Sequence, residues 1–562
     1  MEKQSIDPTM YASSGPGNAE VSAREPSIPP GTWLRLAAAG SSILLIVLQP
    51  IVFFWRVLIN PTAHIPFDIE GFHLPLIAYL GQCLRRGIAP LWDPYPYCGV
   101  PIHADLTAQT FYPFTWLAIL AGNHTQGRNL FYWVQFLVPL HMILAGLFVY
   151  WLLRRLQLDR PAAVFGATVF QLGGFFASQA QHLGAICSAA WLPLAILAVF
   201  ELRQRVRLRW IAILALSIAM SILAGFAATS LVVCGAVLLV MVALLTVREA
   251  SWRIVPAVAA GFLAAAAMAA VQLVPLWQLS HSSMAGMRGN WFLSGGGLSL
   301  HSLVSLVLPN YYHIFELGES YKLPDNFTFL YVYCGIATVI LLALAPFIGR
   351  SRARIFFVLT IVSGFWMLGG HTPVYRSVFV RLPSLLRGAL YAEFALLAFC
   401  CFAAITGAMV LHRFGSRVPH AVLWGIALYT SYDLIQTGRD RPMNSYAGGY
   451  KTEDSEYAPN GPVKLSEKLR SLANQTVPPS RIDYTDAAFS QGIRGSDMLG
   501  LPTANGDNPF LLRRMLYLRR LFTAGQPWER QLSVNRLDSP LLSMMNVAWI
   551  VSSVPIPPDQ TS

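Results

Sequence analysis

The side chains best suited to chemistry gather between residues 67 and 113. Asp68, Glu70 and His73 come first, Asp93 follows, and His103 and Asp105 precede Gln109. Carboxylates and imidazoles exchange protons near neutral pH, and carboxylate oxygens also hold divalent cations. Glu70 stands two positions from Asp68, and residues i and i+2 of a helix do not share a face. A chelate made by this pair therefore calls for extended or turn backbone. Asp105 is the better second carboxylate, because the chain can bring it back from the far side of the same stretch. Asp93 sits in Trp92-Asp93-Pro94, a turn-forming context. The stretch is dense in Trp, Tyr and Phe, which argues against disorder. The plainer reading is a loop whose aromatics anchor it at membrane headgroups.

A second group of polar residues lies far along the chain. Arg376, Arg381 and Arg387 flank a proline-broken segment running from Thr372-Pro373 to Leu382-Pro383, with His371 before it and Glu393 after it. Arginine grips phosphate oxygens bidentately, although the same residues can simply snorkel to headgroups. His371 reads as a phosphate contact or as the cap of a turn. Gln179 and His182 interrupt an otherwise apolar run, and either face a site or satisfy one another.

These groups must be positioned by elements of an unusual composition. Of 562 residues, 55% are apolar and only 12% are charged, about half the charge of an ordinary soluble domain. Mean hydropathy is +0.49. A disordered chain, a nucleic-acid-binding domain and an ordinary cytosolic enzyme are excluded, and a polytopic all-α membrane protein remains. The uncharged stretches Leu36–Trp55, Asn129–Leu153, Pro161–Phe200 (a hairpin), Trp210–Val247 (another), Ile254–Leu279, Asn326–Phe347, Ile355–Gly369, Gly388–Leu411 and Ala421–Asp433 give about eleven crossings, each needing about 20 residues. Alternate connections carry Arg154/Arg155/Arg160, Arg203 to Arg209, Arg248/Arg253, Arg350 to Arg354 and Arg413/Arg417. The positive-inside rule puts these in the cytoplasm. The net charge of +12 thus reflects orientation.

The expected organisation is a disordered cytoplasmic tail over 1–32 and a transmembrane domain over 33–436 with long outward loops at 60–128 and 280–325. A small extracytoplasmic α/β module follows over 437–562. Cys83 and Cys98 share the first loop and would pair only if it faces an oxidising compartment. Walker-type loops, nucleophile elbows, HExxH and Rossmann glycine patterns are missing from the sequence.

The order of landmarks resembles that of the YfhO-type bacterial membrane proteins, within the GT-C glycosyltransferase superfamily. These landmarks are Asp68, Gly87-x-x-Pro90-Leu91-Trp92-Asp93-Pro94, Gly99-Val100-Pro101 leading to Gln109 and Tyr112-Pro113, Gln272-Leu273-Val274-Pro275, Gly370-His371-Thr372-Pro373, Leu382-Pro383 to Arg387, and Leu541 to Val547. The chain departs at Leu223-Ala224-Gly225-Phe226, where such proteins carry His-Pro-Gln after the glycine. The resemblance implies a GT-C-like fold in the bacterial cytoplasmic (inner) membrane, with the N-terminus inside and the C-terminal module outside. It also implies transfer of a sugar from a polyprenyl-phosphate donor to a glycan, lipid or protein acceptor of the envelope, without nucleic acid. Asp68 matches the essential acid, as base or as ligand to Mg²⁺ or Mn²⁺, with Asp105 as its partner. Arg387, Arg376, Arg381, His371, His103 and Gln109 are the expected substrate contacts.

Two other functions fit the same composition. One is a transporter or flippase for a lipid-linked molecule, the other a catalytically silent membrane scaffold. A transporter should carry ionisable residues near mid-membrane, whereas here the acids crowd one loop.

Overall fold

The computed structural model describes residues 32–60, 63–122, 128–287, 296–314, 327–439, 441, 443–445, 463–485, 496–526, 529–552 and 554–556. The expected tail over 1–32 lies outside these apart from Thr32. The fold is a helical bundle with a small α/β module resting on one end. Each expected apolar stretch carries helix: α1 (Thr32–Phe53), α4 (Arg128–Arg155), α5 (Arg160–Leu172) with α6 (Gly174–Ser178), α7 (Leu183–Ala189) with α8 (Leu192–Gln204), α9 (Leu208–Leu223), α10 (Ala227–Thr246), α11 (Ile254–Met268) with α12 (Ala270–Ser282), α13 (Ile336–Ile348), α14 (Ser351–Met367), α16 (Leu396–Phe414) and α17 (His420–Gly438). Among the described residues, five helices, Asn129–Arg155, Arg160–Ser178, Leu183–Gln204, Ala227–Thr246 and Ala392–Phe414, are long and apolar enough to cross a membrane. The pair α11–α12, bent by 73°, makes a sixth if it counts as one span.

The most deeply buried run, Arg160 to Gln204, occupies the centre, and α5 packs against α1, α4, α16 and α17. Asp159 caps α5 by accepting from Ala162 N at 3.2 Å, and Pro161 and Pro193 stand in the first turns of α5 and α8, where a missing N–H costs nothing. Polar side chains buried here bond to one another. Gln49 donates to Ser431 Oγ at 2.7 Å, while Thr168 donates to Gln49 Oε1 at 3.0 Å. Such bonds hold helices together where apolar burial gives little preference between lipid and protein.

The basic connections meet at one end of the bundle. Arg155 pairs with Glu201 at 2.8 Å, Glu249 bridges Arg203 and Arg352, and His412 lies 3.3 Å from Asp159.

The 60–128 connection is folded. It contains α2 (Leu74–Arg86), α3 (Pro113–Ala121) and several single turns. Gly87 ends α2 in the left-handed conformation with φ 65°, its N–H returning to Cys83 O and Leu84 O. Asp93 and Val100 exchange backbone hydrogen bonds of 2.8 Å each, and the Asp93 carboxylate takes the Tyr95 N–H at 3.0 Å. This closes a hairpin in which Trp92 lies on Gly99; a Cβ there would meet the indole at 2.5 Å. Cys83 and Cys98 are free thiols.

The C-terminal module pairs β1 (Arg481–Tyr484) with β4 (Val547–Val551) in parallel, and β2 (Thr523–Ala524) with β3 (Ser533–Val534) antiparallel. Helices α18 (Val463–Ala473) and α19 (Arg513–Arg519) accompany the strands. Arg519 and Asp483 form a fully buried ion pair at 2.6 Å. The module begins a new region of sequence, yet its packing is continuous with the 60–128 connection. Tyr97 N donates to Asn505 O at 3.1 Å, Cys98 N to Thr503 O at 3.0 Å and Thr503 N to Tyr95 O at 2.8 Å. Tyr97, Val100, Met284, Leu511, Leu516 and Leu532 share one small core.

Candidate functional site

Asp68 stands between two uncommon backbone features. Phe67 before it has φ 66°, a left-handed conformation that is costly for a bulky residue. Ile69–His73 after it forms one turn of π-helix. Such strained pieces persist only where the surroundings over-determine them, and they concentrate at functional sites. In a π-turn the bonds run from i to i+5, so the turn brings His73 round to the side of Asp68, and the two groups interact electrostatically.

His182 comes to the same place from the break between α6 and α7. Its Nε2 is 3.6 Å from Asp68 Oδ2, and its Nδ1 is 2.7 Å from Gln179 Oε1. The Gln179 amide nitrogen donates to Ser178 Oγ at 3.1 Å and to Thr328 O at 3.3 Å, which fixes Oε1 as the atom facing the ring. An amide oxygen only accepts, so the His182 proton sits on Nδ1 and the Nε2 lone pair faces Asp68. Burial pushes the His182 pKa down, against the opposing pull of Asp68. Burial likewise lowers His73 to about 4. Both imidazoles are therefore neutral at neutral pH.

Asp68, His73 and His182 line a cavity of about 800 Å³, whose charged contributors besides Asp68 are Glu393, Asp507 and Arg530. Glu393 accepts the Gly297 N–H at 3.1 Å, and Arg530 lies 3.4 Å from Asp507. Most of the remaining wall is apolar, including Ile222, Phe226, Leu231, Leu273, Trp277 and Phe394. The outward face of α12 continues this wall, with Val271, Val274 and Trp277 exposed. Gln272 on the same helix donates to Ala104 O at 3.2 Å and ties α12 to the 60–128 connection.

Asp68 opens into this cavity, and Asp105 does not. Asp105 is 2% exposed. Its Oδ1 accepts from Thr107 N at 2.8 Å and Thr107 Oγ1 at 2.6 Å, and its Oδ2 from Asn508 Nδ2 at 2.6 Å. Both oxygens are committed, so Asp105 clasps the module to the connection instead of serving as a second acid. Gln109, expected at the substrate, is a buried staple: it donates to Ala224 O at 2.5 Å and accepts from Thr115 Oγ1 at 3.0 Å. A Cβ on Gly225 (φ 95°) would meet Leu106 O at 2.7 Å, so this close approach explains the glycine. His103 is held to Leu91 O at 2.7 Å.

Arg376 and Arg381 turn back on carbonyls of their own segment, Gly370 O and Ser377 O. They and His371 are exposed and are not among the cavity's lining residues. Arg387, in α15 (Ser384–Ala389), is half-buried with its Nε enclosed and unpartnered. Leu386, Gly388 and Ala389 around it line the cavity. Asp507 and Arg530 escaped sequence reasoning, because only the docking of the module brings them to the site. Gln179 and His182 stand out in the sequence as polar residues in an apolar run; they bond to one another, and of the two His182 lines the cavity.

The site does not suit Mg²⁺ or Mn²⁺ held through Asp68. These ions want several oxygen ligands, whereas the ionisable groups beside Asp68 are imidazoles and Glu70 turns to His64 at 3.4 Å. Among the described residues no group of three or more His, Cys, Asp and Glu could hold a metal.

No family model matches the chain, and no curated protein matches it. Among solved structures, the chain is similar to the apo oligosaccharyltransferase of Archaeoglobus fulgidus, with 14% identity and a TM-score of 0.46 over 84% of this chain and 65% of that one. It is also similar to the same organism's AglB in complex with an inhibitory peptide and a dolichol-phosphate, at 14% identity and TM-score 0.43, covering 93% and 70% of the two chains. A third is ArnT from Cupriavidus metallidurans bound to undecaprenyl phosphate, at 12% identity and TM-score 0.43, covering 83% and 86%. The chain thus spans 65% of the length of the first of these proteins.

Proposed function

We propose that the protein is a membrane glycosyltransferase that moves a sugar from a polyprenyl-phosphate donor to a cell-envelope acceptor, with Asp68 as general base. The observation that carries this reading is the Asp68–His182–Gln179 chain at the polar end of a large, mostly apolar cavity. The acceptor hydroxyl gives its proton to the Asp68 carboxylate as its oxygen attacks the anomeric carbon. A new carbon–oxygen bond forms there, the bond to the phosphate oxygen breaks, and the phosphate leaves with the electron pair. The His182 Nε2 lone pair is placed to accept a hydrogen bond from Asp68 once that carboxyl is protonated.

Arg530 and Arg387 supply the cations for the phosphate, and the exposed apolar face of α12 suits the polyprenyl tail. The donor is amphiphilic, so a site with one polar end and a lipid-facing wall is what its chemistry demands. The ordered landmarks shared with YfhO-type proteins favour the same assignment. The site lies at the end away from the arginine-rich connections, which by the positive-inside rule supports a location at the outer face of a bacterial inner membrane, with residues 437–562 outside. Mass analysis of envelope glycans and glycolipids in a deletion strain tests the reading. Loss of one sugar addition, restored by the wild-type gene and not by Asp68→Asn, is expected; an unchanged glycan and glycolipid profile overturns it.

A further inference from the structure

His73 takes no part in the relay above, yet it is placed as though it should. Its ring is 4% exposed and lines the cavity beside Asp68 and His182. Nδ1 is enclosed by protein and has no hydrogen-bond partner. A buried N–H left without an acceptor loses its hydration with nothing in return, so the neutral ring keeps its proton on Nε2 and leaves Nδ1 as a bare lone pair. With Nδ1 enclosed, the Nε2 edge is the ring's only polar means of reaching the cavity. The residue is delivered there by the π-turn, since one fewer residue in the turn would carry it away from Asp68.

We propose that His73 is a substrate-binding residue of this site, donating from Nε2 to the oxygen of the same acceptor hydroxyl whose proton Asp68 removes. A hydroxyl has one proton and two lone pairs. Asp68 takes the proton, His73 occupies one lone pair, and the second lone pair is left to attack the anomeric carbon. Two fixed contacts hold the nucleophile's angle as well as its distance, which is the positioning that accelerates such steps. Two neutral imidazoles with opposite tautomers thereby do different work: His182 accepts and His73 donates.

This inference rests on the proposed transferase reading and is tested beside it. Full-length protein in isolated membranes, with the polyprenyl-phosphate sugar pool carrying a radiolabel, is assayed for label passed to envelope acceptor. Undecaprenyl phosphate binding to the purified protein in nanodiscs is measured in parallel. His73→Phe is expected to lower acceptor transfer about tenfold, the worth of one neutral hydrogen bond, with undecaprenyl phosphate binding unchanged. His73→Gln, which keeps a donor at a similar reach, should restore most of the rate. Wild-type transfer by His73→Phe overturns the assignment, as does equal loss in both variants together with loss of undecaprenyl phosphate binding, the mark of a structural role. Three outcomes separate the ideas: label transfer unchanged in membranes lacking the protein brings down the transferase reading itself, full transfer by Asp68→Asn removes that carboxylate as base and this inference with it, and inactive Asp68→Asn with active His73→Phe brings down only this inference.

Discussion

In the proposed reaction, a proton taken from a hydroxyl at Asp68 has somewhere to go. The His182 lone pair faces the carboxylate because Gln179 holds the opposite ring nitrogen. Replacing His182 with Phe should lower the transfer rate about 10²-fold, the low end for one acid–base group, while leaving undecaprenyl phosphate affinity unchanged; steady-state kinetics would reveal the split. The acid beside the first span was legible in the sequence, and so was the oddity of Gln179 and His182 in an apolar run. Their meeting was not, because it joins residues more than a hundred positions apart through a hinge of α6 and α7. Asp105 misled for a related reason: a carboxylate in a polar loop reads alike whether it meets substrate or Asn508, and only burial distinguishes the two.

At the scale of elements, the bundle follows from uninterrupted apolar runs, which is why each expected stretch carries helix. Breaks inside apolar runs were harder to read. Ile254–Leu279 reads as one span, yet α11 and α12 meet at 73° with no proline at the joint, since α12 turns to bond Ala104 through Gln272. Asn326–Phe347 also reads as one span, but after a 3-10 turn over Phe327–Leu330 the α-helix starts only at Ile336, because Tyr331 and Val332 lie extended against Gly174, where a Cβ would meet Val332 at 2.9 Å. In the module, Arg519 donates to Asp483, Ala504 O and Leu532 O in full burial. Arg519→Met strands the Asp483 charge and should cost about 3–5 kcal/mol. Protease susceptibility of residues 463–556 in the purified protein would register it, and wild-type resistance would deny the pair this role.

For the whole molecule, the junction between the 60–128 connection and the module gathers three buried carboxylates whose protonation couples its stability to pH. Burial raises Asp497 to about 7, raises Asp105, and raises Asp93 with the help of the neighbouring Asp497. The folded state thus holds protons that the unfolded chain releases near pH 4. Stability is fully present below that value and falls as pH rises towards about 7 for Asp497. Hydrogen-exchange protection in residues 496–508, taken relative to the intrinsic rate at each pH, should be greater at pH 5.5 than at pH 8, and Asp497→Asn should remove much of the difference. Sidedness is open to a separate check. A membrane-impermeant maleimide added to intact cells should label Glu529→Cys in the module and leave Arg205→Cys unlabelled; the reverse pattern would turn the site to the cytoplasm. The central claim concerns one carboxylate, and single-turnover transfer by purified protein in nanodiscs, wild type against Asp68→Asn, tests it most directly. The account predicts that the variant binds undecaprenyl phosphate normally and transfers sugar at least about 10²-fold more slowly. Transfer by Asp68→Asn at the wild-type rate would contradict it.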